Sequence, residues 1–428
     1  MNKRDFSIDP TSFDYPVFTK GMIKTHTILI PNMLNIHMDL FNECMKSMGY
    51  KTEVLTNEGI NVINEGLKYV HNDICYPALL VIGQFIDNLN HRDDLDRVAL
   101  VISQTGGGCR ASNYLYLIRK AMIKAGYGYI PIIGFDLSSF TKKTGLNVTP
   151  RFIFRLLATL TYSDELMYLK NKTQSYEQNK GDTSKLTHEW IEKISLQFKN
   201  KKGTSYKDLK KNLREMCQDF DKLPVNINDE TPKVGIVGEI FIKYSSLGNN
   251  HLEDFLVSQN CEVSVPGLYG FILYCLYNNI YDYKLYGKNH KMAILSKLII
   301  AYIRRREKLM IDAFKGTKYK PMHYFSETKE LSNNILNHGT KMGEGWLLSA
   351  EMVELYETGY TNIVLAQPFG CLPNHICGRG VMKKVKELYP DINIVSIDYD
   401  PSATRVNQEN RIKLMLSIAR ENIKKPKL

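Results

Sequence analysis

His26–Leu55, HTILIPNMLNIHMDLFNECMKSMGYKTEVL, carries the two periodicities of an α/β unit in one stretch. Thr27–Ile30 is a short β-forming run, Asn35–Met48 spaces its apolar residues as a helix does, Gly49 stops that helix, and Lys51–Leu55 resumes as a strand. The same grammar continues downstream, where Pro77–Leu89 predicts a helix, Arg97–Ser103 a fully buried strand, Ala111–Ala125 a helix and Tyr129–Gly134 a strand. Strands alternating with helices of this length predict a parallel sheet covered on both faces. The pattern begins again at Lys233 with KVGIVGEIFIKYSSLGNNHLEDFLVSQNCEVSV, a duplication in pattern and not in residues.

Between the two units, Leu160–Leu223 is helical, polar and rich in lysine. The predicted fold class is therefore α/β, with two Rossmann-like parallel-sheet domains facing a cleft and helical insertions. The expected boundaries are 1–160 for the first domain, 161–230 for a helical bridge and 231–428 for the second, with a helical insertion at about 269–345. Inside the second domain, Gly345–Glu357, Ile376–Leu388 and Ala403–Ala419 read as helices, and Asn362–Ala366 and Ile392–Ile397 as strands.

A chain of 428 residues with 43% hydrophobic and 24% charged content can bury two cores and is not disordered in character. MNKRDFSIDP has no apolar run behind its charges, and no uninterrupted apolar stretch reaches the ~18 residues a bilayer requires. A cytoplasmic protein with no membrane contact is expected. The formal charge of +11 can attract an anionic partner, but much of the excess lies in the polar stretch Lys170–Arg214, which reads as a solvated surface. With no zinc-knuckle spacing and no aromatic-rich RNA-binding signature, no nucleic-acid partner is expected.

Eight dispersed cysteines suit a reduced compartment and point to metal or redox chemistry before disulfides. In open parallel sheets, ligands bind beyond the carboxyl ends of the strands, and the loops holding Cys109, Glu239 and Cys371 follow strands directly. In Gln104-Thr-Gly-Gly-Gly-Cys-Arg-Ala-Ser-Asn113 three glycines let the backbone approach a ligand, and the next helix turns its free N–H groups toward negative charge. Gly106, Gly107, Gly108, Arg110 and Asn113 are the candidate cofactor-binding residues there. A thiol at such a helix start is expected to ionise readily. A glycine turn with an inert cysteine is the plain alternative, and the phosphate-loop pattern is absent.

Cys75, in Asp73-Ile-Cys-Tyr-Pro77, stands at a helix entrance that Pro77 favours. Cys371 lies in Gln367-Pro-Phe-Gly-Cys-Leu-Pro-Asn-His375, a loop stiffened by two prolines, and Cys377 beyond it is either a fourth ligand or core. Glu239 and His375 are candidates for moving protons, with a cap or salt bridge and a structural histidine as their ordinary roles. Asn249 and Asn250, and Asp398, Asp400 and Arg405, read as caps or pairs. Cys44, Cys217, Cys261 and Cys275 are assigned to core. Single thiolates from separate loops suit an iron–sulfur cluster better than zinc, whose structural sites use local Cys-x2–4-Cys pairs. Three ligands would leave one iron open, and Cys377 would close a [4Fe–4S] cage.

Taken together, DICYP, QTGGGCRASNY, VGEI followed by NN, GEGWLL at Gly343–Leu348, QPFGCLPNH and IDYDPSATRVNQENRIKLML resemble the 2-hydroxyacyl-CoA dehydratase superfamily. The likeness is to the component-D-related branch often fused behind an ATP-dependent activase, and it runs from about Met22 to Ser417. It implies two Rossmann-like domains around an oxygen-sensitive cluster, with Cys75, Cys109 and Cys371 in the ligand motifs and no assured counterpart for Cys377. It also implies radical elimination of water from a 2-hydroxyacyl-CoA thioester after a separate activase has injected one electron at the expense of ATP. The activase signatures are absent from this chain. A paralogous subunit or a homodimer is a further expected partner, since such dehydratases usually work as two related subunits. The alternatives are a cluster-bearing reductase of small molecules, as in the double-cubane relatives, and a non-catalytic electron-transfer or scaffold subunit.

Overall fold

Val234–Gly238 and Asn362–Pro368 are buried along their whole length, as strands covered on both faces must be. They form the centre of one of two four-stranded sheets in the computed structural model, which describes residues 15–71, 73–104, 108–136, 146 and 149–424. The first sheet contains β1 (Thr27–Ile30), β2 (Lys51–Val54), β3 (Val98–Gln104) and β4 (Ile132–Asp136) in the order β2-β1-β3-β4. The second contains β5 (Lys233–Gly238), β6 (Glu262–Ser264), β7 (Asn362–Pro368) and β8 (Asn393–Tyr399) in the order β6-β5-β7-β8. Every pairing within both sheets is parallel. The duplication read from pattern is thus matched by the same strand order twice. In each sheet the order reverses between the first and third strands, and crevices for ligands open at such a reversal. The chain leaving β3 leads to Cys109, that leaving β5 to Glu239 and that leaving β7 to Cys371.

Helix Pro150–Thr173 runs without a break across residue 160. With Asp182–Lys199, Tyr206–Asp221 and His290–Ala313 it encloses a helical core that includes Tyr162, Trp190, Phe198, Met216 and Met310. Cys44 and Cys217 belong to that core and Cys261 to the core between the sheets and their helices, while Cys275 is half-buried on helix Leu268–Tyr286. Among the described residues, no helix is long and apolar enough to cross a membrane.

Three elements differ from the sequence reading. Ala111–Ala125 begins as a tight turn at Arg110–Asn113 before the helix Tyr114–Lys124. Ile376–Leu388 is not one helix: Leu372–Cys377 ends at Gly378, and Met382–Leu388 follows after Gly380, two glycines that weaken any helix running through them. The β5–β6 crossover is split into Ile240–Tyr244, Ser246–Asn249 and Leu252–Ser258: Ser245 is extended at the first break, and Asn250 and His251 both take left-handed backbone angles at the second. Asn249 caps the last of these, its Oδ1 accepting from Leu252 N at 3.0 Å. One helix, Ile60–Tyr69, was not read from the sequence at all.

Candidate functional site

Cys75, Cys109, Glu239 and Cys371 share one local position: each is the residue immediately before a helical turn. Pro77 and Pro373 sit in the first turns after Cys75 and Cys371, where a missing N–H is harmless and the fixed φ favours helix entry. Cys109 Sγ accepts from Ala111 N at 3.5 Å, and Glu239 Oε2 accepts from Ile242 N at 2.9 Å. Four helix starts, each with free N–H groups and the positive end of its peptide dipoles, favour negative charge on these side chains.

Hydrogen bonds tie these starts to one another across long sequence separations. Arg110 donates to the Asp73 carbonyl, joining the Cys109 loop to the Cys75 loop. The Tyr114 hydroxyl lies 2.7 Å from Cys75 Sγ. Gly108 N donates to Met342 Sδ at 3.1 Å, which links the first sheet's loop to the stretch before helix Trp346–Glu357. Glu344, two residues on, accepts from Ile240 N at 3.0 Å through Oε1 and from Asn374 Nδ2 at 2.9 Å through Oε2. The same Asn374 amide stands 3.5 Å from Cys371 Sγ. Gly343 and Gly345 flank Glu344 with φ of +60° and +46°, a turn that ordinary residues resist.

Glu344 and Asn374 therefore hold the site together, and neither received a role from the sequence. The available signal was the Gly-Glu-Gly triplet, an acidic residue between two glycines at a helix start. Tyr114 closes the QTGGGCRASNY block but received no role of its own from it.

The thiols do not ionise readily, contrary to expectation. Burial pushes Cys75 up to about 12, with Glu239 and Cys109 adding to the rise. Cys109 and Cys371 are also raised, first by burial and then by the carboxylates of Glu344 and Glu239. A helix start favours the thiolate, but desolvation together with two nearby acids outweighs it. Burial likewise raises Glu239, with Glu344 as its neighbour in charge, and raises Glu344 itself. Lys243 is the opposing cation for both, yet its ammonium is bonded to Glu351 at 2.9 Å. Burial and mutual repulsion thus favour the protonated forms of the three thiols and two carboxyls, and a positive centre arriving among them would favour release of those protons.

The remaining candidates fall elsewhere or outside view. Gly106 and Gly107 lie outside the described residues. Gly108 and Arg110 are exposed and used in the loop contacts above, and Asn113 is exposed without capping the helix that follows it. His375 Nδ1 lies 2.8 Å from the Cys371 carbonyl oxygen, and its Nε2 faces Asp398 at 3.9 Å. Cys377 is 2% exposed and packs in an apolar core with Val237, Leu348 and Val385, with Glu344 acting on its thiol as on those of Cys109 and Cys371. Asp398 also pairs with Arg379, Asp400 caps the turn at Ser402, and Arg405 pairs with Glu409. Among the described residues, no group of three His, Cys, Asp or Glu side chains is arranged to hold a single metal ion. No protein-family model matches the chain, and no curated protein matches it.

Proposed function

We propose that this chain is an iron–sulfur protein of the 2-hydroxyacyl-CoA dehydratase type, its cluster bound by Cys75, Cys109 and Cys371 where two Rossmann-like domains face a common cleft. The observation that carries this is the interlocking of three cysteine loops with Glu239 and Glu344, the cysteines and Glu239 each at a helix start and Cys371 and Glu344 buried. The donor set fits a cluster. Soft thiolates are its usual ligands, and four positive helix ends offset its negative charge. A cluster spreads its thiolates over different irons, so it does not require three side chains around one ion. Cys377 would not take part, which leaves one iron without a protein thiolate.

When bound and reduced, such a cluster supplies a low-potential electron and a Lewis-acidic iron, the chemistry needed to remove water from a thioester whose β-proton is not acidic. The chain's own residues then have distinct tasks. Tyr114 hydrogen-bonds Cys75 Sγ and fixes its direction, while Asn374 does the same for Cys371. Glu344 locks the β5 exit to the Cys371 loop. Glu239, whose carboxyl is pushed up to about 8 by burial and the neighbouring Glu344, is the residue to give or take a proton beside the substrate. The electron would come from a separate ATP-dependent activase, and the substrate would be a CoA thioester.

Phe369, Leu372 and Ile376, on the loop and short helix around Cys371, are each more than half exposed, and Met342 nearly so. This apolar rim favours a protein partner seated over the site, an activase or a paralogous subunit. It also gives weight to a second reading, in which the chain is the electron-transfer subunit of a larger enzyme.

Anaerobic purification followed by iron and sulfide analysis and EPR tests the proposal. Iron and sulfide in stoichiometric amounts are expected, with loss of both in the Cys75→Ser/Cys109→Ser/Cys371→Ser protein and retention in Cys377→Ser. Full loading that survives the triple replacement overturns the ligand assignment. Turnover of 2-hydroxyacyl-CoA esters with an activator, with and without a paralogous chain, separates enzyme from subunit.

A further inference from the structure

A cavity with no cysteine in its lining lies between helices Pro150–Thr173, Leu268–Tyr286, His290–Ala313 and Trp346–Glu357. Its volume is about 110 Å³, and four carboxyl side chains line it: Asp164, Glu307, Glu351 and Glu354. Two of these are satisfied. Asp164 meets His37 at 2.6 Å and accepts from Tyr269 N at 2.7 Å, and Glu351 is bonded to Lys243.

Glu307 is different. It is 5% exposed, and its Oε1 accepts from Phe325 N at 2.6 Å. Its Oε2 is buried with no hydrogen-bond partner among the described residues. Protonating that oxygen would not cure the deficit, because the new O–H would be a buried donor without an acceptor. Glu354 lines the same cavity and accepts from Thr328 Oγ1 at 2.8 Å, and the charge of Glu307 adds to the burial that raises it. Arg304 acts on Glu307 and Lys243 on Glu354 from outside the cavity, and among the described residues no lysine or arginine lines it.

The rest of the lining decides what kind of cation is wanted. Met167, Leu273 and Met310 are apolar, and Tyr269 and Phe325 offer rings whose faces attract positive charge. These walls suit an alkyl chain better than a hydrated inorganic ion, and no three His, Cys, Asp or Glu side chains among the described residues are arranged to hold a metal. A cavity of 150 Å³ admits benzene, so this one takes a molecule of about five heavy atoms. Half-buried His323 and exposed Thr358 stand among the lining residues and give the cavity an opening to solvent.

We propose that this cavity is a binding site for a small alkylammonium ion, its charge held by Glu307 and Glu354 and its chain by the methionine and aromatic walls. The site is independent of the cysteine cluster and does not rest on the dehydratase reading.

Isothermal titration of the full chain, purified anaerobically, with n-butylammonium chloride and with n-butanol tests it. The ammonium should bind saturably and the isosteric alcohol should not. Glu307→Gln and Glu354→Gln, which keep side-chain shape, should each weaken ammonium binding about tenfold or more, with circular dichroism and melting temperature retained. Should one variant fail to fold, the other gives the reading. Equal binding of ammonium and alcohol, no saturable ammonium binding at millimolar concentration, or an affinity unchanged in a folded variant would each overturn the proposal.

Discussion

Lys243 shows how much a single side chain can decide. It is 2% exposed, begins one turn after Glu239, and places Nζ 2.9 Å from Glu351 Oε1 and 3.1 Å from Oε2. Removing only the lysine leaves a buried carboxylate beside Glu344 and Glu354 with no counter-charge. Lys243→Met should therefore lower stability by ~3–5 kcal/mol, read from the midpoint of urea unfolding. The double variant Lys243→Met/Glu351→Leu should recover most of that loss, since two apolar side chains can replace a buried pair with little penalty. A single variant within ~1 kcal/mol of the parent would show that Glu351 simply takes up a proton. At this scale the sequence was readable only where a residue advertises itself by its neighbours. Cys75, Cys109 and Cys371 sit among prolines and glycines and could be singled out. Glu344 meets its partner Ile240 across 104 positions, and nothing local announces such a contact.

Among the elements, the helix Ile60–Tyr69 marks the limit of pattern reading. Gly66 looks like a helix breaker, yet it lies inside the helix because the neighbouring helix Tyr76–Asn90 passes too close for any side chain there. Gly83 plays the same part from the other side, where a Cβ would run into the Val62 carbonyl oxygen. These opposed effects give a test whose sign is informative. Alanine in place of a mid-helix glycine stabilises by ~1 kcal/mol when space is free, whereas forcing a methyl into backbone costs ~1–3 kcal/mol. Gly83→Ala should therefore lower the melting temperature, and an increase would mean that the two helices do not touch there. Strands were more legible than helix joints. β5 and β7 each carry an apolar run, Val234–Val237 and Ile363–Ala366, because both faces are covered, and that composition is local. The breaks at Asn250 and His251, and at Gly378, depend on how the chain must re-aim the next helix, which is tertiary information.

At the scale of the whole molecule, the loops around the cysteines come from both sheets and from the stretch before helix Trp346–Glu357, and they are joined by few bonds. Gly108 to Met342 is one, and Glu344 to Ile240 and Asn374 are others. With their protons held, the three thiols and two carboxyls are uncharged and do little to draw these loops together. A cluster bound by all three cysteines would add strong cross-links between segments that are far apart in sequence, and its binding energy would appear as stability of the site as a unit. Hydrogen exchange of the iron-loaded and chelator-stripped protein, compared anaerobically, should then show protection lost together in 73–76, 108–114, 239–244, 342–346 and 369–377. The interiors of β1, β5 and β7 should exchange alike in both states, because their ladders do not depend on the site. Loss confined to the Cys371 loop would place any bound iron in the second domain alone, and the two halves of the chain would then not share a metal centre.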